Sequence, residues 1–258
     1  MKVHIFGSLS GTEPRSGRHH TAWALELNNG DLYWFDAGEN SARSAYLMGL
    51  NLFQLKSVFI SHSHIDHIGG IFNLFGVIKK MRTLSGEETP CKIDLHLPRP
   101  DIEGPLMQLM NAFHNVPPCT DIVTSTLNGG DFFDDGSVQV EVLANEHIKV
   151  PEGAKPESFS FRITSGSKTI IYSGDVRSVE EIAPWCREGA DLLLMENGHH
   201  SPPWLCARLK ELKCPLKWIL FIHQGREYLN FPQETLRKCR NAWGGPVGFA
   251  VDRMSLEI

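Results

Sequence analysis

Long apolar runs are missing from this chain of 258 residues. The longest stretch without Asp, Glu, Lys or Arg covers residues 104–120, and Gln108, Asn111, His114, Asn115 and Pro117-Pro118 interrupt it. A membrane-crossing helix needs about 18 consecutive apolar residues, so no membrane span is expected. Residues 1–6 run into Gly7, Ser8, Glu13 and Arg15 with neither an apolar signal core nor a small-residue cleavage site, an expectation against secretion. Paired cysteines are missing too. Cys91, Cys119, Cys186, Cys206, Cys214 and Cys239 include no C-x-x-C pair, which predicts reduced thiols and a cytoplasmic location. Nor is there a surplus of positive charge. Lys and Arg number 25 against 30 Asp and Glu, a net charge of −5, and this excludes a protein that coats nucleic acid by charge alone. Low-complexity linkers, charge blocks and internal repeats are absent. With 41% of positions hydrophobic, the chain reads as a single domain over residues 1–258 with layered α and β structure.

What is present begins with short β-rich runs. Strands are expected over residues 2–6, 21–27 and 31–35, with Asn28-Asn29-Gly30 as a hairpin turn between the last two. A helix over residues 40–50 and a strand over 56–60 follow, and the strand ends in Ser61-His62. Ile71, Leu74, Phe75 and Ile78 recur at helical spacing, so a helix is predicted over residues 66–81. Later strands are expected over 92–97, 138–143, 158–164, 168–172, 191–195, 218–222 and 247–251. Helices are expected over 100–113, 204–212 and 232–239, with a further one from Ser178 onward.

The chemistry concentrates in Ser61-His62-Ser63-His64-Ile65-Asp66-His67. A polar surface loop gains nothing from crowding imidazoles that titrate near neutrality. In extended backbone His62 and His64 point to the same side, where both can hold one metal ion. Asp66 and His67 then turn the corner at a helix start and face a second ion. Two ions need about six to seven protein groups, so further ligands must come from later in the chain. His147, Asp175 and His223 each lie where a loop leaves an expected strand.

The pattern H-x-H-x-D-H, followed by His147, Gly174-Asp175 and His223 at strand ends, resembles the metallo-β-lactamase superfamily. Intervals of 28 positions from His147 to Asp175 and 48 from Asp175 to His223 agree with it. The resemblance runs from Gly7 and Asp36-Ala37-Gly38 to Asp252. It implies an αββα sandwich with a dinuclear metal site at the sheet edge. By position it assigns His62, His64 and His147 to one ion, Asp66, His67 and His223 to the other, and Asp175 to the bridge.

Gly11-Thr12, Pro14, Arg18, Asp36-Ala37-Gly38-Glu39 and His223-x-x-Arg226-x-Tyr228 are similar to the RNase Z branch of phosphodiesterases. Residues 248–254 are also similar to the close of its small relative, the cyclic ribose phosphodiesterase of phosphonate breakdown. In that branch a histidine about one helix before the last ligand donates a proton. His200, 23 positions before His223, fits that slot, with His199 as competitor. The branch therefore implies catalytic roles for Asp66, itself a ligand, and for His200. The chain departs from it in several places. Glu196-Asn197-Gly198 stands for the usual Glu-Ala-Thr, and Pro202-Pro203 for the usual Ser-Thr. The glycine- and proline-rich basic arm that grips transfer RNA is missing, as is the small relative's cysteine-rich zinc site.

Other residues admit two readings. Asp36 is either a buried carboxylate that orients the histidine loop or a turn aspartate before Gly38. Arg18, His19 and His20 are either a phosphate cradle or an exposed basic turn, and Arg226 either a substrate contact or a surface arginine. His4, His96 and His114 are expected to be structural or exposed, and Trp185, Trp204 and Trp218 to be core.

The function expected is that of a dinuclear metal-dependent hydrolase, a phosphodiesterase using a metal-bridging hydroxide, with His200 protonating the leaving alkoxide. Imidazole and carboxylate ligands suit zinc, with manganese or iron as alternatives. The substrate expected is a small-molecule or nucleotide-type phosphodiester. Transfer RNA is disfavoured, no membrane partner is expected, and a homodimer is compatible with the sequence. Two rivals keep the metals: a thioesterase, lactonase or β-lactam-type hydrolase on the same scaffold, and a non-catalytic binding or sensing module. A flavodiiron oxidoreductase is disfavoured, because the chain leaves no room for a flavin domain.

Overall fold

A computed structural model describes residues 1–258. In chain order the strands are β1 (Lys2–Gly7), β2 (Ala22–Glu26), β3 (Leu32–Phe35), β4 (Leu55–Phe59), β5 (Cys91–Leu97), β6 (Thr120–Thr126), β7 (Phe132–Asp134), β8 (Gln139–Ala144), β9 (Phe159–Ser165), β10 (Lys168–Tyr172), β11 (Leu192–Asn197), β12 (Ile219–Gln224), β13 (Val247–Phe249) and β14 (Met254–Glu257). The helices are α1 (Ser41–Leu47), α2 (Ile65–Ile68), α3 (Ile71–Ser85), α4 (Glu103–Ala112), α5 (Ala183–Glu188), α6 (Pro202–Glu211), α7 (Arg226–Asn230) and α8 (Pro232–Trp243). None is long and apolar enough to cross a membrane.

The chain divides into two compact units. One comprises Met1–Ser8, Pro14–Leu127 and Val251–Glu257, the other Leu9–Glu13, Asn128–Ala250 and Ile258. Each holds a seven-stranded mixed sheet.

In the first unit the strand order is β14-β1-β2-β3-β4-β5-β6. Three antiparallel pairings, from β14 to β3, are followed by three parallel ones, from β3 to β6. The β2–β3 hairpin turns at Asn28-Asn29-Gly30 as the sequence predicts, with the Gly30 N–H donating to the Leu27 carbonyl at 2.9 Å. Helix α3 buries Ile71, Leu74, Phe75 and Ile78, the spacing read from the sequence, in a core with Trp34, Val58 and Leu95. The opposite face of the sheet carries Trp23, Phe35 and Phe59, buried and stacked in sequence. Arg82 on α3 is buried as well. Its guanidinium donates to the carbonyls of Pro118, at 2.9 Å, and Thr89, which ties the far end of the helix to the chain entering β5 and β6.

The helix predicted over residues 66–81 is split. α2 stops at Ile68, Gly69-Gly70 break the rod, and α3 starts at Ile71. The Gly70 N–H donates to the Ala37 carbonyl at 2.7 Å, and a Cβ on Gly70 would stand 2.2 Å from the Gly38 carbonyl oxygen. Docking of residues 36–38 against this turn therefore overrides helical periodicity. Strands β6, β7 and β14 and helix α7 lie where no element is predicted from the sequence.

In the second unit the order is β13-β12-β11-β10-β9-β8-β7. Read from β7, three antiparallel pairings lead to β10 and three parallel ones to β13. The first unit's topology thus recurs without a repeat in the sequence. Helices α6 and α8 bury Leu205, Cys206, Leu209 and Cys239 among Leu193, Met195, Ile219 and Phe221 of the sheet. From Ser178 the expected helix is a capped 3-10 turn, Val179–Glu181, followed by α5. The six cysteines are unbridged. Of the three tryptophans expected in the core, Trp185 and Trp218 are half-buried, whereas Trp204 is 48% exposed.

Candidate metal centre

In the first unit the site grows from a single buried carboxylate. Asp36 follows β3 in the left-handed region, at φ 55°, and is completely buried. Its Oδ1 accepts the Ser61 N–H at 2.6 Å, and its Oδ2 accepts the Ser61 hydroxyl at 2.8 Å and His67 Nδ1–H at 2.7 Å. Of the two readings of Asp36, the structure gives the buried carboxylate. Because a carboxylate only accepts, His67 carries its proton on Nδ1 and presents an Nε2 lone pair. The Ser61 hydroxyl has given its hydrogen to Asp36, so it accepts from His62 Nδ1–H at 3.0 Å. His62 likewise keeps its lone pair on Nε2. His62 Nε2 and His64 Nδ1 lie 3.0 Å apart, and His67 Nε2 lies 3.6 Å from Asp66 Oδ2. The loop expected to carry four ligand groups therefore does bring them together, with acceptor nitrogens set by one hydrogen-bond chain.

Arg18, His19 and His20 are half-buried and tied down. Asp252 accepts the Ser8 N–H at 3.0 Å, the Ser8 hydroxyl at 2.7 Å and the His19 N–H at 2.6 Å. Arg18 donates to the Ser8 hydroxyl at 2.7 Å, and His20 pairs with Glu39. Burial raises the Asp252 carboxyl above its ordinary range even against the bonds from Ser8 and His19.

In the second unit the candidate ligands come from separate strand ends. His147 follows β8, Asp175 follows β10, and His223 lies in β12 with φ 53°. Asp175 Oδ2 stands 3.3 Å from His223 Nε2 and 3.6 Å from His147 Nε2. Two residues absent from the expected ligand set join this cluster. Glu196 at the end of β11 is completely buried, and His199 reaches Asp175 Oδ2 with Nδ1 at 3.8 Å. One ligand atom from each of Asp175, Glu196, His199 and His223 falls within 4.8 Å of the others. Burial works against the charged Glu196 carboxylate, yet His199 and His223 beside it hold it below the usual carboxylate range. The same contact raises His199 above an ordinary imidazole, against its partial burial. A Cβ on Gly198 would stand 2.6 Å from His223 Nδ1, so only glycine lets the β11 loop pass behind that ring.

The adjacent histidines of this loop both approach Glu196 Oε1, His199 Nδ1 at 3.4 Å and His200 Nε2 at 3.3 Å, but stack on different rings. His199 is 44% exposed at its side chain and stacks on His223, with centroids 5.4 Å apart and planes at 18°. His200 is 16% exposed, and its Nε2 lies 3.0 Å from the Val176 carbonyl and 3.3 Å from Glu196 Oε1.

Glu181 is not among the residues singled out in the sequence. One Oε accepts the Glu146 N–H at 2.6 Å and the other accepts the N–H groups of Arg177, at 2.9 Å, and Ser178, at 3.1 Å. It thereby joins the loop of His147 to the loop of Asp175. The one sequence clue is a Ser178-x-x-Glu181 capping box, which the structure forms. Arg226 is paired with Glu13, at 2.9 and 3.1 Å, on an exposed surface. His4 is buried between Glu26 and Ser255, His96 bonds Ser125, and His114 is exposed, so all three stand apart from the candidate ligands.

Residues 1–217 match the family described as Anti-Pycsar protein Apyc1. The chain belongs to the Apyc1 family. Among individual proteins it is similar to ribonuclease Z of Methanothermobacter thermautotrophicus, 37% identical over 93 residues, which are 36% of this chain and 28% of that one. It is also similar to ribonuclease Z of Methanosarcina mazei, 25% identical over 98% of this chain and 97% of the relative. The chain thus spans under a third of the first of these relatives and nearly all of the second. Among solved structures, the metallo-β-lactamase fold protein YhfI from Bacillus subtilis aligns over 100% of this chain and 99% of its own, at TM-score 0.75 and 19% identity. The Apyc1-family chain therefore has the α/β metallo-β-lactamase fold and stands on the RNase Z-like side of that hydrolase superfamily, as its motifs imply.

Proposed function

We propose that this Apyc1-family protein is a metal-dependent phosphodiesterase acting on a small-molecule or nucleotide-type phosphodiester. The observation that carries this reading is the tautomer chain from Asp36 through Ser61 to His62 and His67, which readies two Nε2 lone pairs for cations. The donor set fits the group: imidazole nitrogens and carboxylates suit zinc, and also manganese or iron. His62, His64 and His147 would hold one ion, Asp66, His67 and His223 the other, with Asp175 shared. Two bound divalent ions supply Lewis acidity, which lowers the pKa of water and offsets charge on the phosphate oxygens.

The protein's own groups do the rest. Asp36 keeps His62 and His67 in one tautomer. Glu181 holds the loops of His147 and Asp175 in register. A proton must reach the departing alkoxide, and we assign it to His199, since its half-exposed ring stands over Asp175 and His223. His200, the donor that the resemblance to the RNase Z branch implies, has its Nε2 taken up by the Val176 carbonyl and Glu196.

The test is a substrate panel on protein reconstituted with zinc or manganese, with metal content measured alongside. It comprises p-nitrophenyl phosphodiesters, cyclic and linear nucleotides, precursor tRNA, thioesters and lactones. About two ions per chain with turnover of phosphodiesters alone is expected. Turnover confined to thioesters or lactones, or no bound metal, rejects the reading. For the donor, His199→Ala should keep its metal and much of its activity on an activated aryl phosphodiester, yet lose about 10²- to 10⁴-fold on an alkyl one. The same leaving-group dependence in His200→Ala instead returns the role to His200.

A further inference from the structure

Glu196 and His199 lie among the candidate ligands of the second unit, yet the two-ion assignment uses neither. The Glu196 carboxylate, near the end of β11, is completely buried, where a charge needs a positive partner. The His199 backbone N–H donates to Glu196 Oε2 at 3.1 Å, so the loop after β11 curls back onto this carboxylate and brings the His199 ring to it. The donor spacings that result are those of a coordination shell. Zinc bonds to imidazole nitrogen and carboxylate oxygen run about 2.0–2.2 Å, so donors around a tetrahedral ion stand about 3.3–3.5 Å apart. The steps from Glu196 Oε1 to His199 Nδ1, from His199 Nδ1 to Asp175 Oδ2 and from Asp175 Oδ2 to His223 Nε2 are 3.4, 3.8 and 3.3 Å. Each of the four residues offers a donor atom within 4.8 Å of the other three. Orienting His199 would need only its contact with Glu196; the closing of the ring by Asp175 and His223 is what an ion requires.

We propose that Glu196 and His199, set against the Asp175–His223 edge, form a third divalent-cation site whose occupation inhibits the enzyme. This rests on the phosphodiesterase reading above, with His199 as proton donor. Asp175 and His223 already serve the working pair of ions, so only Glu196 and His199 are left wholly to a third, which binds more weakly and fills at excess metal. With its Nδ1 coordinated, the His199 ring is fixed in place and no longer delivers a proton to the departing alkoxide.

The test is a zinc titration of the metal-loaded protein, read by equilibrium dialysis with elemental analysis and, in parallel, by turnover of an alkyl and an activated aryl phosphodiester. At excess zinc the wild type should take up a third ion per chain. Over the same concentrations it should lose about 10²-fold or more on the alkyl ester and much less on the aryl one. Glu196→Gln should keep the two tight ions and bind the third about tenfold or more weakly, its own rate no longer falling over that range. His199→Ala, at a side chain 44% exposed and so tolerant of truncation, should lose the third ion as well. His114→Ala, at an exposed histidine apart from the cluster, should keep it. A third ion retained at wild-type affinity in either Glu196→Gln or His199→Ala overturns the site. Uptake without inhibition, or equal inhibition of the two esters, overturns it too. Two tight ions with phosphodiester turnover and no third ion overturn the site and leave the phosphodiesterase reading standing. If the wild type takes up ions but turns over no phosphodiester, that reading fails, and the ion count in the variants decides the site alone.

Discussion

The two units share one topology and use it differently. In each, three antiparallel pairings precede three parallel ones, so β3 corresponds to β10, β4 to β11 and β5 to β12. Asp36 follows β3 and Asp175 follows β10, two aspartates in one topological slot. The first is buried beneath the histidine loop as an acceptor of three hydrogen bonds. The second lies among His147, His199 and His223 as a candidate ligand. After β4, one loop of seven residues supplies every candidate ligand proposed for its unit. The second unit draws on the ends of β8, β10, β11 and β12. Carboxyl ends of parallel strands are where α/β sheets collect functional groups, and one scaffold does so both by a compact motif and by assembly.

The sharpest break of this comparison is Asp175→Ala. It should lower turnover by about 10³-fold or more and reduce metal content, because in the proposed assignment one carboxylate serves both ions. Elemental analysis beside steady-state kinetics checks it. Asp36→Ala should act on the fold instead. Three buried donors lose their acceptor, which is expected to cost about 3–5 kcal/mol in urea unfolding, with metal lost as a consequence. If Asp36→Ala proved as stable as the wild type, the carboxylate would not anchor the loop.

Glu181→Gln comes next. An amide offers one acceptor oxygen where three N–H groups need two, so the loops of His147 and Asp175 loosen. Metal affinity, read by competition with a chelator, should weaken about 10- to 100-fold while the unfolding midpoint moves little. The smallest effect is expected of His96→Ala. His96 occupies on β5 the place that His223 occupies on β12, next to last in the strand. It stacks on Phe59 at 4.3 Å and bonds the Ser125 hydroxyl at 2.8 Å. Its removal should cost about 1 kcal/mol of stability and leave turnover within about twofold. Equal losses from His96→Ala and Asp175→Ala would mean that topology, and not chemistry, had assigned the ligands.

Much of the site could be read from residues alone wherever its members are close in sequence. The run from Ser61 to His67 announces itself because four ligand groups fall within six positions. His147, Asp175 and His223 were readable only because each ends an apolar strand and because the pattern resembles a known family. Strand β6, half-buried on one face at Ile122 and Thr124, and the short β7 and β14 are not legible in the sequence, since their neighbours in the sheet define them more than their residues do.

The sequence by itself determined the cluster of candidate ligands from His62 to His67, the hairpin at Asn28-Asn29-Gly30 and the apolar face of α3, all of which depend on neighbours a few residues away. Only the tertiary structure decided that Asp36 holds the histidine loop, that Glu181 joins the loops of His147 and Asp175, that His199 and His200 stack on different rings, and that Trp204 faces water. Each of these depends on a hydrogen bond or ring contact made in three dimensions. The helix predicted over 66–81 breaks for the same reason: the backbone at Ala37 and Gly38 comes from another strand, and its approach to Gly70 outweighs the local preference for helix.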